Sequence, residues 1–121
     1  MAYVDGIVVP VPKKNLAAYR RMATKAGKVW IEHGAIQYRE CVADDVKPGK
    51  WTSFPQAVKL KADEVVVFSY ITYKSRAQRD RAVAKVMKDP RLAKITANPK
   101  AMPFDGKRMI WGGFKPLVSL G

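Results

Sequence analysis

Nine consecutive residues, Val65-Val-Val-Phe-Ser-Tyr-Ile-Thr-Tyr73, constrain this chain more than any other stretch. Apart from one serine they are β-branched or aromatic, and they include no glycine or proline, so they read as a strand. Alternation puts Val65, Val67, Ser69, Ile71 and Tyr73 on one side and Val66, Phe68, Tyr70 and Thr72 on the other. Both sides are largely apolar, and both must be kept from water. What covers them decides the architecture.

The flanking sequence supplies candidates for that cover. Tyr3–Val9 reads as a first strand, ended by Pro10 and Pro12. Asn15 reads as the N-cap of a helix over Asn15–His33, stopped by Gly34. Leu16, Tyr19, Met22, Ala23, Ala26, Val29 and Trp30 share one face of it. Gly27 costs that helix up to about 1 kcal/mol against alanine, a cost that a close contact would explain. Ala35–Ala43 reads as a second strand, with Ile36, Tyr38, Glu40 and Val42 on one side and Gln37, Arg39 and Cys41 on the other. The connection from Asp44 to Asp63 is unusually long and carries a helical turn near Gln56–Leu60. Trp51 and Phe54 within it call for something to pack on. Ser75 caps a helix that ends at Asp89-Pro90 and has Arg79 in the middle of its apolar side. A short helix over Arg91–Ala97 follows. The last strand is predicted at Arg108–Val118, with a bulge or tight bend at Gly112-Gly113.

The order β-α-β-β-α-β is the ferredoxin-like plan, an α+β fold in which two helices cover one face of a four-stranded antiparallel sheet. At 121 residues the chain reads as one domain over 1–121. Two helices cannot cover both sides of Val65–Tyr73. A second copy can, and a homodimer with two sheets face to face, an α+β barrel, is the expected assembly.

The totals exclude more than they assign. Lys and Arg number 23 against 10 Asp and Glu, a formal charge of +13. The cations are spread along the whole chain, which fits a solvated basic surface and leaves RNA or anionic-surface binding as the alternative function. Lys107-Arg108 with Gly112-Gly113-Phe114 is only a loose echo of an RNA-stacking signature. One cysteine excludes an internal disulfide, and one histidine beside it provides no metal cluster within a subunit, so neither a metal nor a cofactor is expected. No apolar run approaches the roughly 18 residues of a membrane span, and the N-terminus has no signal-peptide pattern, so a cytoplasmic protein with no membrane contact is expected. No nucleotide-binding glycine loop and no Ser-His-Asp order is present.

The candidate site is built from polar groups on apolar faces. His33 falls on the apolar face at the end of the first helix. Either it caps the last carbonyls there, or it acts as an acid or base beside a cavity. Glu40 is flanked on its face by Ile36, Tyr38 and Val42, so it must be paired, with Arg79 as one partner, or stand in a pocket as a second acid or base. Arg39, Arg79, Tyr38 and Trp111 are the expected substrate-binding groups; for Trp111 and the other strand aromatics, dimer core is the plainer role. Cys41 reads as a packing residue. Asp5 either marks the end of its strand or joins the charges of Arg39 and Arg79.

Several stretches carry a wider likeness. They are Tyr3-Val-Asp-Gly6 with Val9-Pro-Val-Pro12, Ala26-Gly-Lys-Val-Trp30 with Glu32-His-Gly-Ala35, Tyr38-Arg-Glu-Cys-Val-Ala-Asp-Asp45, Thr52-Ser-Phe-Pro55 with Ala57-Val-Lys-Leu-Lys61, and Met102-Pro-Phe-Asp-Gly-Lys-Arg-Met-Ile110 with Gly112-Gly-Phe114. In these the chain resembles a bacterial family called domain of unknown function 1428. The resemblance implies a dimeric α/β-barrel of ferredoxin-like subunits and no particular activity. The wider group of dimeric α/β-barrels is similar in plan and includes cofactor-free monooxygenases, haem-degrading enzymes and stress-response proteins, an analogy of fold alone. The expectation is therefore a cytoplasmic homodimer that binds a small organic molecule between sheet and helices, with metal-free chemistry at His33 and Glu40 as the enzymatic version.

Overall fold

The structure, a computed structural model, describes residues 2–121. Strands β1 (Tyr3–Pro12), β2 (Gln37–Val42), β3 (Glu64–Tyr73) and β4 (Ile110–Phe114) form one four-stranded sheet in the order β2-β3-β1-β4. Every neighbouring pair is antiparallel. Helices α1 (Leu16–Glu32) and α3 (Arg76–Lys88) provide the two crossovers, with short helices α2 (Phe54–Ala57) and α4 (Pro90–Thr96). This is the ferredoxin-like α+β plan.

The alternation in β3 decides which face is covered. Val67, Ser69, Ile71 and Tyr73 are buried, as are Tyr3, Asp5, Ile7, Val9 and Val11 of β1. Together with Ala26, Val29 and Trp30 of α1, Ala82 and Val86 of α3 and Leu92 of α4, the apolar members of this face build the core. The opposite face has no long helix; only the short α2 reaches it, through Phe54 against Phe68. Phe68 is 42% exposed there, and Ile110 and Phe114, in register with Val8 and Val4, are 46% and 62% exposed.

The helix ends follow local chemistry. The Ser75 hydroxyl accepts the Gln78 N–H at 3.1 Å, and Gly34 takes a φ of +115° that few other residues adopt. Asn15 does not cap α1. Its side-chain amide donates instead to the Pro103 carbonyl at 3.3 Å.

Other local expectations are corrected. β1 runs through both prolines, pairing Pro10 with Val66 and Pro12 with Glu64. β4 accompanies β1 only from Val4 to Val8, so β1 has a free edge beyond Val8. The Lys13 N–H donates to Asp63 ahead of β3. Odd-numbered residues here thus turn their N–H groups to β3, and the prolines stand at even positions facing the free edge. Gly112 and Gly113 form no bulge but pair regularly with Gly6 and Asp5. A Cβ on Gly113 would lie 2.5 Å from the Tyr3 hydroxyl and 2.6 Å from Arg79 Nη2, so the glycine permits a close approach. The helical turn in the long connection lies at Phe54–Ala57, capped by Ser53. Phe54 packs edge-on against Phe68 at 6.1 Å, whereas Trp51 is 84% exposed, with the Lys50 ammonium 4.8 Å from its ring.

Candidate functional site

α1 crosses the sheet and covers β2 only in part, leaving Tyr38 and Glu40 half-buried. An open cleft of about 1200 Å³ lies between α1 and β2. Its lower wall is Tyr38, Glu40 and Val42 on the covered side of β2, with Val67 beside them, and its upper wall is the flank of α1 from Leu16 to Ile31.

Glu40 is the polar centre of this cleft. Its Oε1 accepts from the Tyr19 hydroxyl at 2.7 Å and from Ser69 Oγ at 2.9 Å, and its Oε2 accepts from the Tyr38 hydroxyl at 2.8 Å. The carboxylate therefore has three neutral donors. Among the described residues no cation lies within ion-pair distance of it. Burial and then the negative charge of Glu40 push both tyrosine hydroxyls well above the ordinary phenol range, so they stay protonated as donors.

Tyr38 owes its position to Gly27. A Cβ on Gly27 would stand 2.7 Å from Cδ1 and 2.9 Å from Cε1 of the Tyr38 ring. Gly27→Ala gains about 1 kcal/mol of helix propensity but overpacks the ring contact, which costs roughly 1–3 kcal/mol. The expected net result is a loss of about 1 kcal/mol in urea unfolding. A variant more stable than the parent would show that the ring can yield at no cost.

The other groups singled out from sequence lie elsewhere. His33 stands at the far end of α1 from Tyr19, roughly 20 Å along the helix axis at 1.5 Å per residue. Its Nε2 meets Asp89 Oδ2 at 2.8 Å, and Asp89 also takes two bonds from the Arg91 guanidinium, which reaches Glu32 as well. The Arg91 guanidinium, then His33, hold the Asp89 carboxyl well below its usual range. His33 thus fastens the end of α1 to the start of α4. Arg79 does not meet Glu40. Its Nη2 donates to the Tyr3 hydroxyl at 3.0 Å, and its Nε lies 3.8 Å from Asp5 Oδ1. Asp5 is fully buried and accepts from the Tyr73 hydroxyl, which in turn accepts from Trp30 Nε1, both at 3.0 Å. Trp111 packs near Trp30 at 6.3 Å, on the covered face but outside the cleft lining. Arg39 pairs in register with Tyr70 and faces the bare side of the sheet, as does Cys41, so neither reaches Glu40. Arg108 is committed to Glu64, at 2.7 and 2.6 Å, and to Asp105. Of the Lys107-Arg108 pair only the lysine is left for a phosphate.

Sequence reasoning missed Tyr19 and Ser69. The signal was present: each puts a hydroxyl on a face that is otherwise apolar and buried, and such a hydroxyl needs a partner.

Among the described residues no group of three or more His, Cys, Asp or Glu side chains is placed to hold a metal ion. No helix among them is long and apolar enough to cross a membrane.

Comparison with known proteins places the chain. It belongs to the family described as "Protein of unknown function (DUF1428)", which matches residues 2–106. It is 50% identical over 118 residues to "Uncharacterized protein YbaA" of Escherichia coli (strain K12), covering 98% of each chain. Among solved structures it resembles a mutant of SnoaB, described as a cofactor-independent oxygenase from Streptomyces nogalater, with a TM-score of 0.62 at 12% identity over 98% of this chain and 96% of that one. It also resembles a dimeric ferredoxin-like protein from an uncultured marine organism, with a TM-score of 0.56 at 12% identity over 99% of this chain and 97% of that one. At such identities the two structures share the fold alone.

Proposed function

We propose that this member of the DUF1428 family is a homodimer of ferredoxin-like subunits that holds a small organic molecule in the cleft between α1 and β2, with Glu40 as the group that exchanges a proton with it. One observation carries the reading. Glu40 sits in the wall of the cleft, held by three hydroxyl donors and by no cation. A carboxylate kept for structure is usually neutralised by an arginine or lysine, as Glu64 is by Arg108. Glu40 keeps its charge free to act outward, and Tyr19 and Tyr38 can reorient to follow a proton that it gains or loses. The apolar walls formed by Leu16, Ala23, Val42 and Val67 suit a hydrocarbon body. The neighbour described as a cofactor-independent oxygenase supports chemistry without a cofactor in this fold, and the dimeric neighbour supports self-association.

The test uses 4-hydroxyphenylacetamide, a neutral probe with a phenol for Glu40 and a ring for the walls. Titration should move the amide resonances of Tyr19, Gly27 and Tyr38. Glu40→Gln should weaken binding about tenfold, the lower end of what a hydrogen bond to a charged group contributes. Equal affinity for the probe in the two proteins would remove Glu40 from the site.

A further inference from the structure

From the cations on the cleft wall we infer that the ligand is an acid: an elongated organic molecule with a carboxylate or comparable anionic group at one end and a hydrogen-bonding group at the other. The inference rests on the cleft being the binding site and adds the class of molecule that it takes. Arg20, Arg21 and Lys28 project from α1 along the cleft. Residues 20, 24 and 28 repeat at four-residue intervals, and 21 and 28 are seven apart, so all lie along one flank of the helix. Thr24 between them is turned back onto its own helix, donating to the Arg20 carbonyl at 2.7 Å.

None of the three cations has a carboxylate within ion-pair distance among the described residues. The acid nearest to them in the lining besides Glu40 is Glu32, which is bound to Arg91. The cleft therefore has a negative point in its wall, where three hydroxyls leave Oε2 of Glu40 room for one more donor, and an uncompensated positive flank. A neutral ligand would leave that flank unmatched. A dianion would meet Glu40 with its second charge. A monoanion satisfies both, with its charge on the flank and a hydroxyl or similar donor toward Glu40. Arg20 and Lys28 are about 12 Å apart along the helix axis, so the flank can meet the acid of a one-ring or two-ring body at more than one length. Guanidinium groups bind carboxylates through paired, charge-assisted hydrogen bonds, which makes the arginines the stronger element.

The experiment compares 4-hydroxyphenylacetate with its neutral isostere 4-hydroxyphenylacetamide, by titration of the parent protein and of an Arg20→Gln/Arg21→Gln/Lys28→Gln variant. In the parent the acid should bind at least tenfold more tightly than the amide. The triple variant should bring the two within about threefold while leaving the affinity for the amide unchanged. Raising the salt from 0.05 to 0.5 M should act on the acid alone. Equal affinities for acid and amide in the parent, with both shifting Tyr38, would overturn the inference and leave the cleft standing as the site. Binding of neither at millimolar concentration would overturn the cleft itself. An acid preference that survives in the triple variant would place the anion-binding group elsewhere and overturn the inference as well.

Discussion

Arg79→Leu should destabilise the protein by about 3 kcal/mol in urea unfolding at neutral pH, the lower end of the range for breaking a buried ion pair. The reason lies with Asp5. It is fully buried near the start of β1, on the face that the helices cover. One of its oxygens takes the Tyr73 hydroxyl, and the other has no hydrogen-bond partner. What compensates the second oxygen is the Arg79 guanidinium 3.8 Å away, itself 23% exposed and stacked over the Tyr3 ring at 4.9 Å. The exposure of Arg79 lets water share the load, which is why the lower end of the range applies. Leucine keeps the apolar stem and removes the charge, leaving an uncompensated carboxylate in the core. Adding Asp5→Asn to the Arg79→Leu protein should recover a large part of the loss, because the buried charge is then gone from both sides. A loss below 1 kcal/mol, the range of an exposed pair, would mean that Asp5 does not depend on Arg79.

That pair also marks where sequence stopped being informative. The oddness of Asp5 and of Arg79 was plain from their apolar neighbours. That they meet one another, rather than Glu40, depends on which strand α3 lies over, and no local pattern encodes that. Glu40 stood out for the same reason and was placed on the covered side of β2 with Tyr38, but its other two partners come from the first turn of α1 and from β3, 21 and 29 residues away. The alternation in β3 and the periodicity of α1 were legible because each is a property of consecutive residues. The prolines of β1 were misread because their tolerance rests on the length of β4, a strand about a hundred residues later. The close contact at Gly27 was anticipated from its cost to the helix; the identity of the contacting ring, Tyr38, was not.

Phe68→Lys should convert the proposed dimer to a monomer, with a mass by sedimentation equilibrium near 13.5 kDa rather than twice that. Phe68 lies on the bare face of the sheet, 42% exposed, with Tyr70 beside it at 6.3 Å. Four strands about 4.8 Å apart, each some six residues long at 3.3 Å per residue, project to roughly 400 Å². That is well short of the roughly 800 Å² that each partner contributes to a standard interface, even allowing for side-chain relief. Phe54, 48% exposed and packed edge-on against Phe68, extends the apolar patch beyond the strands and brings the total closer. In a two-fold interface one substitution acts twice. Burying the exposed part of Phe68 is worth about 2 kcal/mol per copy, so losing both copies costs about 4 kcal/mol, roughly a thousandfold in Kd. A lysine in place of each phenylalanine adds like charges facing one another to a chain that already carries +13. The cleft lies on the other side of the sheet, so the monomeric variant should still bind the neutral probe. A parent protein that sediments as a monomer at 100 μM would leave the bare face without its second copy, and the dimeric reading would fall with it.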